Sequence, residues 1–125
     1  MVNPDTSLHG NPAPVVEVRT YRVKPGRRAE FVELFQHRAG PAQRDLGIPV
    51  IGPLLDTHDP DVVVWLRAFP SEQERGPIKA SFYDGPLWKD ELEKLVMPLL
   101  AEYSAVVCEI PPVFLDAPLR SQDWR

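Results

Sequence analysis

Between Val15 and Val23 the chain alternates β-branched or aromatic residues with charged ones. That period of two puts successive side chains on opposite faces of a strand. Lys24-Pro25-Gly26 makes a turn, and a helix is expected from about residue 27 to residue 38, because Phe31, Leu34 and Phe35 recur at the i, i+3, i+4 spacing of one buried face. Gly40-Pro41 is expected to stop it. The apolar run from Ile48 to Asp56 holds Pro49 and Pro53, which cannot donate to a ladder, so it reads as an edge or irregular strand. Asp59-Pro60-Asp61 then turns the chain into Val62 to Phe69, the clearest strand. Ser71 and Glu74 have capping-box spacing and start a second helix, broken at Asp84-Gly85-Pro86. Pro86 suits the first turn of the helix that follows, whose apolar stripe is Trp88, Leu92, Leu95, Val96 and Leu99. Pro98 should kink or convert its last turn. A last strand is expected from Tyr103 to Ile110, closed by Pro111-Pro112.

The order is β-α-β-β-α-β, which predicts an α+β, ferredoxin-like domain: an antiparallel four-stranded sheet with both helices on one face. Residues 1–14, rich in proline and polar groups, read as a flexible tail; 15–112 form the domain; 113–125 are an extension without a period. On the third strand Val62, Val64, Leu66 and Ala68 share one face, and Val63, Trp65, Arg67 and Phe69 the other. The first strand divides into Val16, Val18 and Thr20 against Glu17, Arg19, Tyr21 and Val23, the last into Val106, Cys108 and Ile110 against Tyr103, Ala105, Val107 and Glu109. Two helices cover only one of these faces, and the other is too apolar for water. A homodimer formed by sheet-to-sheet packing about a two-fold axis is therefore expected.

Size and charge narrow the class. At 125 residues, 43% of them hydrophobic, the chain has the size and composition of one globular domain. No run approaches the ~18 apolar residues of a membrane span. Met1 to Pro14 lacks the basic start and apolar core of a secretory signal, so a cytoplasmic protein is expected. A net charge of −4, with no basic stripe, argues against nucleic acid or an anionic membrane as partner. Cys108, the single cysteine, lies in an apolar strand and reads as a small buried hydrophobe. The 15 prolines are spread along the chain and punctuate elements.

Candidate chemistry collects on the mixed sheet face. Arg19, Tyr21, Trp65 and Arg67 offer aromatic walls with cationic and hydroxyl handles, suited to a planar, partly anionic or phenolic molecule. The competing reading is that Glu17, Arg19, Arg67 and Glu109 pair with one another across a dimer. Tyr83, Asp84 and Trp88 flank the helix break, where a lid could form; Trp88, on the apolar stripe, reads more readily as core. His37 has the pKa range of a general base but is offset from the Phe31–Leu34–Phe35 stripe, which also fits a surface residue. His58 sits in a turn and His9 in the tail, and no carboxylates stand at ligand spacing, so no metal site is expected. There is no glycine-rich phosphate loop, nucleophile elbow or triad pattern.

Three segments together resemble one family. Glu17, Arg19, Tyr21 and Pro25-Gly26, then Ala68-Phe69-Pro70-Ser71 with Glu74-Arg75, then Trp88 to Leu100 ending in Pro98-Leu99-Leu100, are similar in order and spacing to the NIPSNAP family of the dimeric α+β barrel superfamily. The resemblance runs from about Val15 to Ile110. Trp65 and Arg67 depart from it, standing where the family more often carries His and Trp. The resemblance implies a ligand cleft between sheet and helices. It also implies kinship in fold with antibiotic biosynthesis monooxygenase-like and EthD-like proteins. A cofactor-independent monooxygenase, isomerase or cyclase acting on an aromatic or polyketide-like metabolite follows. Arg19, Tyr21, Trp65, Arg67, Tyr83 and Trp88 would bind the substrate, and His37 or Asp84 would move protons. The alternative is a non-catalytic binding or interaction protein. No cofactor is expected; haem ranks last, since no histidine is placed as an axial ligand.

Overall fold

The computed structural model describes residues 13–111. The tail expected over 1–14 lies outside these apart from Ala13 and Pro14, and the extension over 113–125 lies wholly outside them.

Strand β1, Val15–Val23, is central: it pairs antiparallel with β3 (Val62–Phe69) on one side and with β4 (Leu100–Glu109) on the other. Edge strand β2, Val50–Leu55, completes the sheet in the order β2-β3-β1-β4. The architecture is thus the antiparallel four-stranded α+β, ferredoxin-like arrangement. In the β1–β3 register Glu17 lies opposite Arg67, Arg19 opposite Trp65 and Tyr21 opposite Val63. Cross-strand neighbours on one face touch, so the register itself builds the ion pairs and cation–aromatic contacts described below. That same face, with Val15, Val23, Val63 and Phe69, is the one that the helices bury.

Helix α1 continues past Gly40-Pro41. It runs as Arg28–Leu34, a π-helical turn Phe35–Ala39, then Gly40–Asp45. The Gly40 N–H donates to the Phe35 carbonyl five residues back. The wider winding admits Pro41 as the start of a new segment, and the stop expected there is corrected for that reason. It also explains an odd spacing: Phe31, Phe35, Ala39 and Gln43 are all buried. Steps of four drift about 40° each around a 3.6-residue helix. A π turn removes that drift and keeps all four on the sheet.

Helix α2, Glu72–Tyr83, begins at Ser71, whose Oγ accepts the Glu74 N–H at 3.1 Å and donates to the Glu74 carboxylate at 3.0 Å. After the break, α3 comprises a π-helical turn Leu87–Leu92, the helical turn Glu93–Val96 and a 3₁₀ turn Met97–Leu99 at Pro98. Leu95, expected on the buried stripe, is 43% exposed, because the π turn rotates the register and leaves Leu92, Val96 and Leu99 inside.

β4 starts at Leu100, earlier than expected, and is exposed over almost its whole length. The sheet face away from the helices is also open: Val106 and Ile51 are each 61% exposed. Cys108, expected to be buried, is exposed there in the single chain, since nothing from the described residues lies over this face.

Candidate functional site

One carboxylate organises the helix-side face of the sheet. Glu17 is fully buried, and its Oε1 accepts from Arg19 Nη1 at 2.9 Å and Arg67 Nε at 2.8 Å. Its Oε2 meets Arg75 Nη1 at 2.7 Å and Lys79 Nζ at 3.0 Å. Arg75 and Lys79 stand one turn apart on α2, which presents both to the same point of β1. Burial pushes the Glu17 carboxyl up, but Arg67, Arg75 and Lys79 outweigh it and hold the group at about 2. Arg75 also pairs with Glu72 at 2.8 Å. Glu17, Arg19 and Arg67 thus pair inside one chain rather than across a dimer as the competing reading expected, and Glu109 makes no ion pair with a described residue.

Arg67 is enclosed completely. Its Nη1 donates to Gln43 Oε1 at 2.6 Å, and Gln43 in turn donates to the carbonyl of Ala39, the last residue of the π turn of α1, at 3.2 Å. Three ring centroids lie near the guanidinium carbon: Trp65 at 5.0 Å, Tyr83 at 5.3 Å and Phe69 at 5.9 Å. Arg67 Nη2 and Trp65 Nε1 are buried without a partner among the described residues. Stacking on aromatic faces offsets part of that cost for the guanidinium.

Arg19 sits between the hub and an open cleft. Its guanidinium lies 5.5 Å from the Trp65 ring and 5.6 Å from the Tyr21 ring, and its Nε donates to Tyr21 Oη at 3.2 Å. The cleft, of about 210 Å³, is lined by Arg19, Tyr21, Tyr83, Trp88, Met97 and Tyr103, with Glu93 also on its wall. Burial pushes the Tyr21 phenol up against the pull of Arg19, so it stays protonated at neutral pH. Its oxygen accepts from Arg19, which leaves the O–H free to donate. Behind the cleft lies an apolar chamber of about 30 Å³, bounded by Phe31, Phe35, Trp65 and Phe82 and sharing Tyr21, Tyr83 and Trp88 with the cleft. A larger hollow of about 290 Å³ beside Leu46 and Pro86 has no cation or aromatic hydroxyl on its walls.

Of the expected binding residues, Arg19, Tyr21, Tyr83 and Trp88 line the cleft, while Trp65 backs it and Arg67 stacks beneath Tyr83. His37 and Asp84 do not join them. His37 is on the surface, 3.4 Å from Glu33, because the π turn that draws Phe35 and Ala39 inward carries it outward. Asp84 is exposed as the residue that ends α2. Sequence reasoning passed over Gln43, placed Tyr103 on the sheet but not in the site, and read Glu17 only as an ion-pair partner. The step of four that ends at Gln43 was the one legible signal for it.

The model of the NIPSNAP family matches residues 16–108. Among solved structures, an uncharacterized NIPSNAP-like domain protein from Burkholderia xenovorans is similar at 25% identity and TM-score 0.73, over 86% of this chain and 90% of that one. A NIPSNAP family protein from Agrobacterium tumefaciens is 18% identical at TM-score 0.71, over 81% and 89%. A Nitrosomonas europaea protein, named provisionally as an antibiotic biosynthesis monooxygenase, is 17% identical at TM-score 0.63, over 79% and 91%. No curated protein matches the sequence.

Proposed function

Taking as premise that the chain belongs to the NIPSNAP family, we propose that its cleft binds a small aromatic or polyketide-like metabolite and stabilises an oxyanion formed on it. Stabilisation of an enolate or phenolate is the step that cofactor-independent oxygenases, isomerases and cyclases have in common. The observation that carries this reading is the pairing, on one wall, of a nine-tenths buried guanidinium with a protonated phenol, Arg19 with Tyr21. Both are fixed before a ligand arrives, Arg19 by Glu17 and Tyr21 by Arg19, and preorganised donors facing developing charge are the strongest catalytic device available without a cofactor. Tyr83, Trp88 and Tyr103 supply faces for a planar ring. The Nitrosomonas protein's provisional name agrees with this choice of chemistry but adds no residue to it.

A second reading has its own support. With His37 and Asp84 outside, Glu93 is the one described carboxylate and no described histidine is on the cleft wall. That favours a protein that binds its metabolite without turning it over. The two readings separate in one experiment. 1-Naphthol should quench tryptophan emission saturably. In D2O the protein should then accelerate exchange of the ring hydrogen ortho to the hydroxyl, followed by proton NMR, if it stabilises the anion. Binding without exchange favours the non-catalytic reading, and absence of saturable binding overturns both. The reading includes a homodimer closed over the open sheet face and a cytoplasmic setting.

A further inference from the structure

Charge around Glu17 is unbalanced. Four cations, Arg19, Arg67, Arg75 and Lys79, surround one carboxylate, and only Arg75 has a second anion, Glu72. Arg75 and Lys79 have side chains about a quarter exposed, so water screens them. In the dry interior two guanidiniums, Arg19 and Arg67, face Glu17 alone. One buried positive charge is left over, and its outlet is Arg19, the member of the hub that lines the cleft. Arg67, fully enclosed and on neither the cleft wall nor the chamber wall, cannot take a ligand directly.

Arg19 is also the member with donors to spare. Its Nε serves Tyr21 and its Nη1 serves Glu17. Nη2 makes no hydrogen bond among the described residues, and the Tyr21 O–H beside it is free to donate. Two donors on one wall, one of them charged, fit the two oxygens of a carboxylate. Glu93 is the counter-argument, since a carboxylate on the wall repels an anion. It is exposed to solvent, whereas Arg19 is nine-tenths buried, and attraction in the low-dielectric interior outweighs repulsion through water. Size sets the second limit. An apolar cavity of about 150 Å³ holds benzene, so 210 Å³ takes one ring with a small substituent with room to spare, is filled by a fused pair such as 1-naphthol and excludes a fused tricycle.

We infer that the cleft selects a one-ring aromatic carboxylate, its carboxylate seated on Arg19 and Tyr21 and its ring between Tyr83, Trp88 and Tyr103. This rests on the binding reading above and narrows its ligand to an anion of single charge.

The test titrates the full chain with benzoate and with benzamide, its neutral isostere, by calorimetry. Benzoate should bind roughly tenfold or more tightly than benzamide, as expected for hydrogen bonds to a charged group. Arg19→Gln should abolish the difference between the two probes. Because Arg19 supports the hub, Arg75→Met serves as the variant that never touches the cleft. Removing Arg75 leaves more of the Glu17 charge on Arg19, so benzoate should weaken by roughly threefold, with benzamide unchanged. Equal affinity for the two probes, or loss of both in Arg75→Met, overturns the inference. If 1-naphthol still binds in that case, the broader reading stands; if none of the three binds, both fall.

Discussion

Glu17 is the residue on which most of the buried chemistry depends, and its physical character can be checked by acid. Against the upward push of burial, Arg67, Arg75 and Lys79 hold its carboxyl at about 2, below the ordinary 4.5 of a free glutamate. A carboxylate depressed by folding contributes stability in full above its unfolded pKa and loses it as pH falls through the folded one. The stability curve should therefore drop between about pH 5 and pH 2, by on the order of 3 kcal/mol from this group alone. Other lowered carboxylates, Glu30, Asp56, Asp59 and Glu72, sit at the surface and add to the same limb. Their share should fade in 1 M NaCl, and that of Glu17, buried among its cations, should not. Glu17→Gln keeps the shape but leaves the guanidiniums without their counter-charge. It should cost about 3–5 kcal/mol in urea unfolding and flatten the salt-resistant part of the acid limb. An unchanged acid limb in that variant would mean that the carboxylate is not the hub that the distances describe.

At the scale of the elements, strand alternation made the sheet legible while helical winding hid much of the site. A period of two is unambiguous, so the face bearing Glu17, Arg19, Tyr21, Trp65 and Arg67 could be read directly, and the helices do cover it. The helices were harder, because the i, i+3, i+4 rule assumes 3.6 residues per turn. Both α1 and α3 contain π-helical turns, and these decide that Gln43 enters the site while His37 and Leu95 leave it. Such turns are frequent at functional sites, and here Phe35 and Ala39 in one, and Trp88 in the other, line the chamber or the cleft. The edge strand holds a second feature that pattern alone does not reveal. β2 shifts register between Ile51 and Leu54, at Gly52, whose φ of +128° is outside the range of L side chains. A Cβ there would lie 2.8 Å from Trp65 Cβ. Gly52→Ala should thus combine backbone strain with a clash against the tryptophan that backs the chamber. The expected loss is about 2–4 kcal/mol in thermal or urea unfolding, with a change in near-ultraviolet circular dichroism from the displaced indole. A neutral substitution would show that the bulge can relax and that Trp65 is held from elsewhere.

For the whole molecule the open question is what covers the sheet face turned away from the helices. Val16, Val18 and Leu66 are half-buried there, whereas Ile51, Leu54 and Val106 are exposed, and β4 adds Tyr103 and Val107 exposed on its other side. Large apolar side chains gathered on one open face mark a surface that soluble proteins tend to cover. A second copy packed sheet to sheet would bury it at roughly 25 cal/mol per Å² before the cost of association is subtracted. Sedimentation at micromolar protein should then give twice the 14.1 kDa chain mass. Cys108 supplies an internal reporter of which face is used. It belongs to the outer row of the sheet, opposite Val16 in the β1–β4 register, and is exposed in the single chain. In a dimer closed over that face its thiol should react with an aromatic disulfide reagent at least tenfold more slowly than in urea, and the rate should rise on dilution below the dissociation constant. A dimer whose Cys108 reacts at the unfolded rate would place the interface elsewhere, and the apolar row would then need a different partner.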